Sequence, residues 1–278
     1  MSAESEERSY GRLTAPRLTA ELSERSLLCL PVGSLEQHGP HLPLNTDTVI
    51  AERFATYLAA EAVDRHNLWV VPPVPYGLSP EHAWSPGTIT LDVPLYTALI
   101  DALVGEYARS TPVRALLIVN GHGGNSGALE ALAHQLQRAH SIATCVVNPS
   151  SLAASQRRSD GELPEVHAGI RETSLMLALA ADHVRLDLFP NGSFPDPGQR
   201  EEFQRIALGR SITWPWSSDD PAISSHGVIG GDPRQATAAH GQALLATALH
   251  ACVGVLDRLV ALIAHEPSDL RRTHAPHY

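Results

Sequence analysis

The chain has 278 residues, 43% of them hydrophobic, and its 20 basic and 30 acidic residues give a formal net charge of −10. This length suits one α/β domain with a large core. The acidic balance, without any run of Lys or Arg, argues against a nucleic-acid partner. Cys29, Cys145 and Cys252 form no CxxC pair and are expected to stay reduced.

The two ends of the chain are expected to lie outside the folded domain. Residues 1–25 are polar, lack the apolar core of a signal peptide, and are expected to be partly disordered. A single domain is expected over residues 26–265, with a tail at 266–278. No apolar stretch approaches the roughly 20 residues that a membrane span needs. The sequence therefore predicts no membrane partner and a cytoplasmic location.

Predicted strands and helices alternate along this domain. Short apolar runs predict strands at 26–32, 68–71, 114–120 and 142–147. Helical spacing of apolar residues predicts helices at about 48–65, 95–110, 126–140, 169–182 and 234–264. Residues 72–94 and 149–168 are expected to be loops, and the proline-containing region 187–233 irregular, with one short helix near 199–208. This order predicts an α/β fold with three layers, a mostly parallel β-sheet with helices on both faces.

The loop after the first predicted strand is the most informative segment. Residues 33–47 read GSLEQHGPHLPLNTD and gather Glu36, His38, His41 and Asp47 among glycines and prolines that exclude a helix or a central strand. Carboxylate oxygens and imidazole nitrogens together suit Zn, Mn or Fe. The loop therefore predicts a metal site. Thr46 or Asp47 could also cap the next helix, and His41 is expected to play a structural role.

Two further segments carry side chains of the same kind. The sequence NGHGGN places His122 on a glycine-rich turn between a strand and a helix, where the backbone can approach a ligand closely. The sequence HAGIRETS places His167 just before a predicted helix and Glu172 in its first turn. An acidic residue there is also a common structural preference of helix N-termini, so both interpretations of Glu172 stay open.

The long loop at 72–94 contains the sequence SPEHAW at residues 79–84. Long loops in compact domains are often functional. Glu81, His82 and Trp84 therefore either line a substrate entrance or belong to a solvated loop.

Four motifs in this order resemble those of the creatininase family of metal-dependent amidohydrolases: GSLEQHGPHLPLNTD, SPEHAWSPGTITL, NGHGGNSGAL and HAGIRETSLMLAL. The resemblance extends from about residue 27 to residue 250. It implies a doubly wound α/β fold and a centre of two divalent metal ions per chain, with Zn, Fe or Mn as candidates. It also implies a homo-oligomer, because relatives form hexamers.

The resemblance assigns roles to residues by position. The residues that match the family's metal ligands are Glu36, His38, Asp47 and His122, with Asp47 as the bridge between the metals. Creatininase itself has a glutamate two residues after the histidine of the Gly-His pair, where this chain has Gly124. Many members instead place a glutamate in the HAGxxETS segment, so Glu172 is assigned as the fifth ligand. His167 matches the catalytic histidine, and its ordinary pKa near 6.5 suits acid–base work.

The glycine at position 124 argues against creatinine as the substrate. Within the family the layout is most similar to the peptidases of mycofactocin biosynthesis, which implies removal of a C-terminal Val-Tyr dipeptide from a modified precursor peptide. The alternatives are hydrolysis of a small cyclic amide or formamide, and a metal-bound scaffold without catalysis. Residues 226–237, HGVIGGDPRQAT, have one glycine more than relatives and are expected near the active-site mouth or a subunit contact.

Overall fold

The computed structural model describes residues 8–153, 165–191 and 214–265. Within these ranges four parallel strands form one sheet in the order β2-β1-β3-β4. The strands are β1 (Leu27–Val32), β2 (Leu68–Val70), β3 (Ala115–Asn120) and β4 (Ala143–Val147). The described α-helices are α1 (Ala15–Glu21), α2 (Thr46–Glu61), α3 (Val93–Ser110), α4 (Ser126–His140), α5 (Pro149–Ala153), α6 (Ile170–Leu179) and α7 (Ala238–His265).

The sheet is buried on both faces. Along β1 and β3, every second side chain joins a core formed with α2, α5 and α7, which contains Leu27, Cys29, Leu117 and Val119. The intervening side chains join a second core formed with α3 and α4, which contains Leu28, Leu30, Leu116 and Ile118. Burial on both faces explains why these strands are unbroken apolar runs in the sequence. The predicted three-layer α/β fold is confirmed.

Two short helices were not predicted from the sequence. Helix α1 has Pro16 in its first turn, and its Leu18 packs against the second core, so it belongs to the folded part of the chain. Helix α5 lies in the expected loop at 149–168. The Asn148 side chain accepts a hydrogen bond from the backbone of Ser151 at 2.9 Å, which is a capping contact. The short helix predicted near 199–208 lies outside the described residues.

Helix α7 corrects one statement made from composition. Its residues Ala238–Ala264 have a mean hydropathy of 1.6, so by length and composition alone this helix could cross a membrane. The expectation that no apolar stretch reaches that length is therefore wrong. In the structure the inner face of α7 supplies Ala248, Cys252, Leu256 and Leu259 to the first core. One helix of this length and composition is by itself weak evidence of a membrane span.

Candidate metal centre

The loop between β1 and α2 turns its charged residues inward. Glu36 and His38 are 0% exposed, and Asp47 is 2% exposed. Asp47 lies in the first turn of α2, whose N-cap is Asn45. The expectation that Thr46 or Asp47 caps this helix is therefore wrong. The Asp47 carboxylate instead faces two imidazoles, with Oδ1 3.1 Å from His38 Nε2 and Oδ2 3.2 Å from His122 Nδ1.

The turn that carries His122 follows β3 and packs against the loop between β1 and α2. The Asn125 side chain accepts a hydrogen bond from Leu78 N at 3.0 Å and donates one to the carbonyl of Gly33 at 3.1 Å. A Cβ atom on Gly121 would overlap the backbone carbonyl of Asp47. Only glycine at this position therefore lets the two strand-end loops touch.

The structure brings all six predicted ligand and catalytic residues into one cluster. Three groups have ligand atoms within 4.8 Å of one another: Glu36, Asp47 and His122; His38, Asp47 and Glu172; and Glu36, His38 and His167. Asp47 belongs to the first two groups, which is the position expected of a bridging carboxylate. The assignment of these residues as metal ligands stays a prediction. His167 has a position compatible with a ligand as well as with an acid–base group.

Backbone carbonyls orient the three histidines of this cluster. His38 Nδ1 lies 3.1 Å from the carbonyl of Glu36, His122 Nε2 lies 2.7 Å from that of Leu78, and His167 Nε2 lies 2.7 Å from that of Gln37. A carbonyl only accepts, so each of these nitrogens carries a proton. The opposite nitrogen of each ring faces the carboxylates and binds a cation once it carries no proton. This arrangement is typical of metal-bound histidines.

Several carboxylate oxygens in the cluster lack the partners that burial requires. Among the described residues, both oxygens of Glu36 and Oδ2 of Asp47 are buried and make no hydrogen bond, although imidazole nitrogens lie 3.2 Å from Asp47 Oδ2 and 3.3 Å from Glu36 Oε1. Unpaired buried carboxylate oxygens are costly unless a cation or proton compensates them. Oxygen and nitrogen donors that converge on one point are suited to a divalent metal ion. The residues present therefore fit the cofactor that the sequence predicts.

Burial and neighbouring charges shift the pKa values of the side chains in the cluster. Burial lowers the pKa of His38, but Asp47, Glu172 and Glu36 outweigh it and raise this pKa to about 10. Burial raises the pKa of Glu172 to about 7, against the opposing charge of His38. Protons would therefore compete with a bound cation for the same atoms.

Glu172 reaches the cluster from the first turn of α6. Its Oε2 accepts a hydrogen bond from Ala168 N at 2.6 Å and lies 3.8 Å from His38 Nε2, and its side chain is 16% exposed. Gly124 shows why no ligand comes from the other expected position. A Cβ atom on Gly124 would overlap the Leu78 carbonyl and His122 Nε2. The backbone of this turn thus excludes a glutamate at residue 124.

The SPEHAW loop has both buried and exposed members. His82 is 1% exposed, and its Nε2 lies 3.5 Å from Glu36 Oε1, so it lies inside the cluster. Glu81 is half-buried, and Trp84 is 46% exposed with Nε1 donating to Ser218 Oγ at 2.8 Å. A role in lining the substrate entrance stays a prediction for these three residues. His41 bonds Thr173 Oγ1 through Nε2 at 2.8 Å, away from the carboxylates, in line with a structural role.

Residues 225–231 pack beside His167. Ile229 pairs with His167 in an antiparallel bridge, and Gly231 N donates to Glu165 Oε1 at 2.6 Å. A Cβ atom on Gly230 or Gly231 would stand 3.0–3.1 Å from the Glu165 carboxylate. The extra glycine noted in this segment thus lies against Glu165, close to the cluster. Gln37 and Ser218 both contact His82, and no pattern in the sequence indicated these contacts.

Comparison with known proteins identifies the family. The family model for creatininase, described as creatinine amidohydrolase, matches residues 11–256. The chain therefore belongs to the creatininase family. The reaction after which the family is named is the hydrolysis of a C–N bond.

Named relatives fall into two groups. A mycofactocin precursor peptide peptidase from Mycolicibacterium smegmatis is 35% identical over 84% of this chain and 85% of its own length. The protein of that name from Mycobacterium tuberculosis is 33% identical over 81% of this chain and 82% of its own length. A creatinine amidohydrolase from Pseudomonas putida is 30% identical over 61% of this chain and 71% of its own length.

Solved structures share the fold. A protein of Bacteroides fragilis, named as a creatinine amidohydrolase candidate, superposes with a TM-score of 0.75 at 22% identity, covering 96% of this chain and 99% of its own. A structure named as creatininase with Mn has a TM-score of 0.69 at 26% identity, covering 90% of this chain and 98% of its own. A mutant creatininase named as the Zn-Zn type has a TM-score of 0.66 at 26% identity, covering 90% of this chain and 96% of its own.

Proposed function

We propose that this chain is a metal-dependent amidohydrolase that holds two divalent cations, Zn, Mn or Fe, and cleaves a peptide. The observation that carries the proposal is the pair of ligand groups that share Asp47. One group would hold a cation with Glu36 and His122, and the other would hold one with His38 and Glu172. The names of solved relatives, which refer to Mn and to Zn, support these metals. When bound, such cations activate water and polarise an amide carbonyl.

The chain itself supplies the group that moves protons. His167 Nε2 donates to the Gln37 carbonyl, so Nδ1 faces the cluster with its lone pair, 3.4 Å from Glu36 Oε1. Burial keeps the pKa of His167 well below its ordinary value, so the ring is neutral. A neutral imidazole in this position can take a proton from water and deliver it to the leaving amine.

The proposed substrate is the modified mycofactocin precursor peptide, which would lose a C-terminal Val-Tyr dipeptide. The mycobacterial relatives named for this precursor support the choice, since they align with 84% and 81% of the chain. The crowded backbone at Gly124, which excludes a glutamate there, also supports a substrate other than creatinine. The second candidate is a small cyclic amide or formamide, and the Pseudomonas putida relative favours it.

The decisive experiment is incubation of the Zn- or Mn-loaded protein with the modified precursor peptide, followed by mass spectrometry. We expect loss of one C-terminal dipeptide, and no loss with metal-free protein or with Asp47→Asn. An intact peptide alongside hydrolysis of creatinine or a formamide would establish the second candidate. Failure to cleave either substrate with two metals bound would leave the non-catalytic scaffold.

We also propose that the enzyme is a cytoplasmic homo-oligomer, with a hexamer as the expected size. Large apolar side chains near the site loops support a subunit contact: Ile89, Val93 and Leu95 are 48%, 56% and 56% exposed. All three cysteines are free, as suits a reducing compartment. Light scattering on the purified protein tests the size, and a monomeric mass would contradict it.

A further inference from the structure

Two stacked histidines at the edge of the cluster share one glutamine. The rings of His82 and His167 have centroids 4.1 Å apart and an interplanar angle of 27°. Gln37 Nε2 lies 2.9 Å from His82 Nδ1 and 3.1 Å from His167 Nε2. All three side chains are buried. The proton positions on the two rings therefore depend on what this one amide can donate.

Backbone groups fix the orientation of the Gln37 amide. Gly39 N donates to Oε1 at 2.8 Å, and Nε2 donates to the carbonyl of Gly227 at 3.1 Å. Exchanging oxygen and nitrogen would set N–H against N–H and carbonyl against carbonyl, so both bonds would be lost. The second proton on Nε2 has three neighbours: His82 Nδ1 at 2.9 Å, His167 Nε2 at 3.1 Å and Ser218 Oγ at 3.4 Å.

That proton goes to His82. His167 Nε2 lies 2.7 Å from the backbone carbonyl of Gln37, which only accepts, so this nitrogen is already protonated. The amide then donates to His82 Nδ1 at 2.9 Å in preference to the more distant Ser218 Oγ at 3.4 Å, and neutral His82 carries its own proton on Nε2. Ser218 Oγ lies 2.7 Å from the same Nδ1, and its hydroxyl can donate there or to the Glu81 carbonyl at 3.2 Å.

The two rings then present opposite groups to one oxygen. His82 Nε2–H lies 3.5 Å from Glu36 Oε1, and the lone pair of His167 Nδ1 lies 3.4 Å from it. We infer that Gln37 is a positioning residue that sets opposite tautomers in His82 and His167, so that one ring offers a proton and the other a lone pair at Glu36. Its expected effect on turnover rests on the proposed function, whereas its effect on the tautomers does not.

Gly227 completes the arrangement. Its φ is +78°, and a Cβ atom there would overlap Gln37 Oε1. Glycine is therefore required both for the backbone conformation and for the approach of its carbonyl to the amide. Substitution of Gly227 should displace Gln37 without altering any proposed ligand.

The test is Gln37→Glu in the Zn-loaded protein with ¹⁵N-labelled histidine. A carboxylate oxygen in place of the amide nitrogen accepts from His82 Nδ1, so the His82 ¹⁵N signals should change from the Nε2–H to the Nδ1–H tautomer. Two Zn per chain should remain. We expect kcat to fall about 10- to 100-fold, the usual effect of removing a partner of a metal-site group, with KM nearly unchanged.

Two further variants make the result decisive. Gly227→Ala should withdraw the amide from His82 Nδ1 and reduce the share of the Nε2–H tautomer, and its folding is checked by thermal unfolding. Gln135→Glu makes the same chemical change on the exposed surface of α4 and should leave signals and kcat as in the parent protein. An unchanged His82 tautomer in Gln37→Glu, or a changed tautomer with full kcat, would overturn the inference. If the parent protein cleaves no peptide, the proposed function fails while the tautomer result still stands.

Discussion

The candidate metal centre is formed by two regions of the chain, and different contacts hold each region in place. The strand-end loops, residues 33–47 and 121–125, follow β1 and β3 directly, and Asn125 ties them together. The outer segments, residues 165–172 and 225–231, pair with each other through His167 and Ile229 and contact the first strand-end loop at Gln37. One candidate ligand group, with Glu36, comes wholly from the strand-end loops, whereas the group with Glu172 needs both regions. The loops that follow the strands thus supply one complete candidate ligand group, and the outer segments supply the last member of the other.

The largest effect is expected where both halves meet. Asp47→Asn removes the carboxylate common to both groups, so we expect loss of both metals. Activity should fall more than about a thousandfold, because the metals supply several kcal/mol of transition-state stabilisation. Metal analysis and steady-state kinetics measure the two effects. The matched control is Asp64→Asn, because Asp64 has an exposed carboxylate just after α2. Retention of two metals by Asp47→Asn would rule out the shared role.

Glu172→Gln separates the two regions. The group with Glu36, Asp47 and His122 is intact in this variant, so we expect one metal per chain to remain. Activity should fall about a hundredfold or more, since outer partners alone already contribute 10- to 100-fold. Metal analysis by mass spectrometry checks the stoichiometry. Two tightly bound metals and full activity would remove Glu172 from the ligands.

Gly124→Ala tests how firmly the strand-end loops are built. The added Cβ would overlap the Leu78 carbonyl, which accepts the hydrogen bond of His122. Loss of that partner should weaken metal affinity about 10- to 100-fold. Gly123→Ala is the control, because a Cβ there has no atom within 4 Å. Equal metal affinities in the two variants would contradict this account of the turn.

Acidity should weaken metal binding through both His38 and Glu172. The pKa of Glu172 is raised to about 7, so its carboxylate is available above that pH and is lost to protonation below it. His38, with its pKa raised to about 10, must release a proton at any lower pH. Affinity should therefore fall as pH decreases, by about tenfold per pH unit for each proton displaced. Calorimetry in buffers of different ionisation enthalpy counts these protons.

The smallest effect is expected far from both regions. The hydroxyl of Tyr96 in α3 is buried without a hydrogen-bond partner, like the Glu36 oxygens, but it lies in the apolar core beside Ile100 and Val104. Tyr96→Phe should leave activity unchanged and raise the free energy of unfolding by at most about 1 kcal/mol, because it removes a buried polar group that makes no hydrogen bond. Chemical denaturation measures it. Reduced metal binding in Tyr96→Phe would show that an unpaired buried atom is no guide to a ligand here.

Sequence reasoning succeeded where the signal is local. Helix α4 was predicted at the residues where it lies, and the buried runs of β1 and β3 were predicted within one residue. The ligand candidates of residues 33–47 share one motif, and the ends of parallel strands meet at one edge of a sheet. Short α1 and α5 escaped because their apolar pattern is too brief to show a helical period.

What escaped at the site depends on contacts between distant residues. Nothing in SPEHAW distinguishes buried His82 from half-exposed Trp84. The histidines are oriented by the backbone carbonyls of Leu78 and Gln37. A pattern of residue types carries no information about backbone contacts of this kind. The amide of Gln37 acquires its role only when Gly227, 190 positions along the chain, reaches it.

The shared carboxylate of Asp47 has a thermodynamic consequence. If two cations bind as proposed, with one Asp47 oxygen each, they would not bind independently, because the first would fix the rotamer that the second must use. By thermodynamic linkage, each ion would change the affinity for the other by the same factor. Metal titrations should therefore deviate from two independent isotherms, and the size of the deviation is the coupling free energy that a single aspartate transmits.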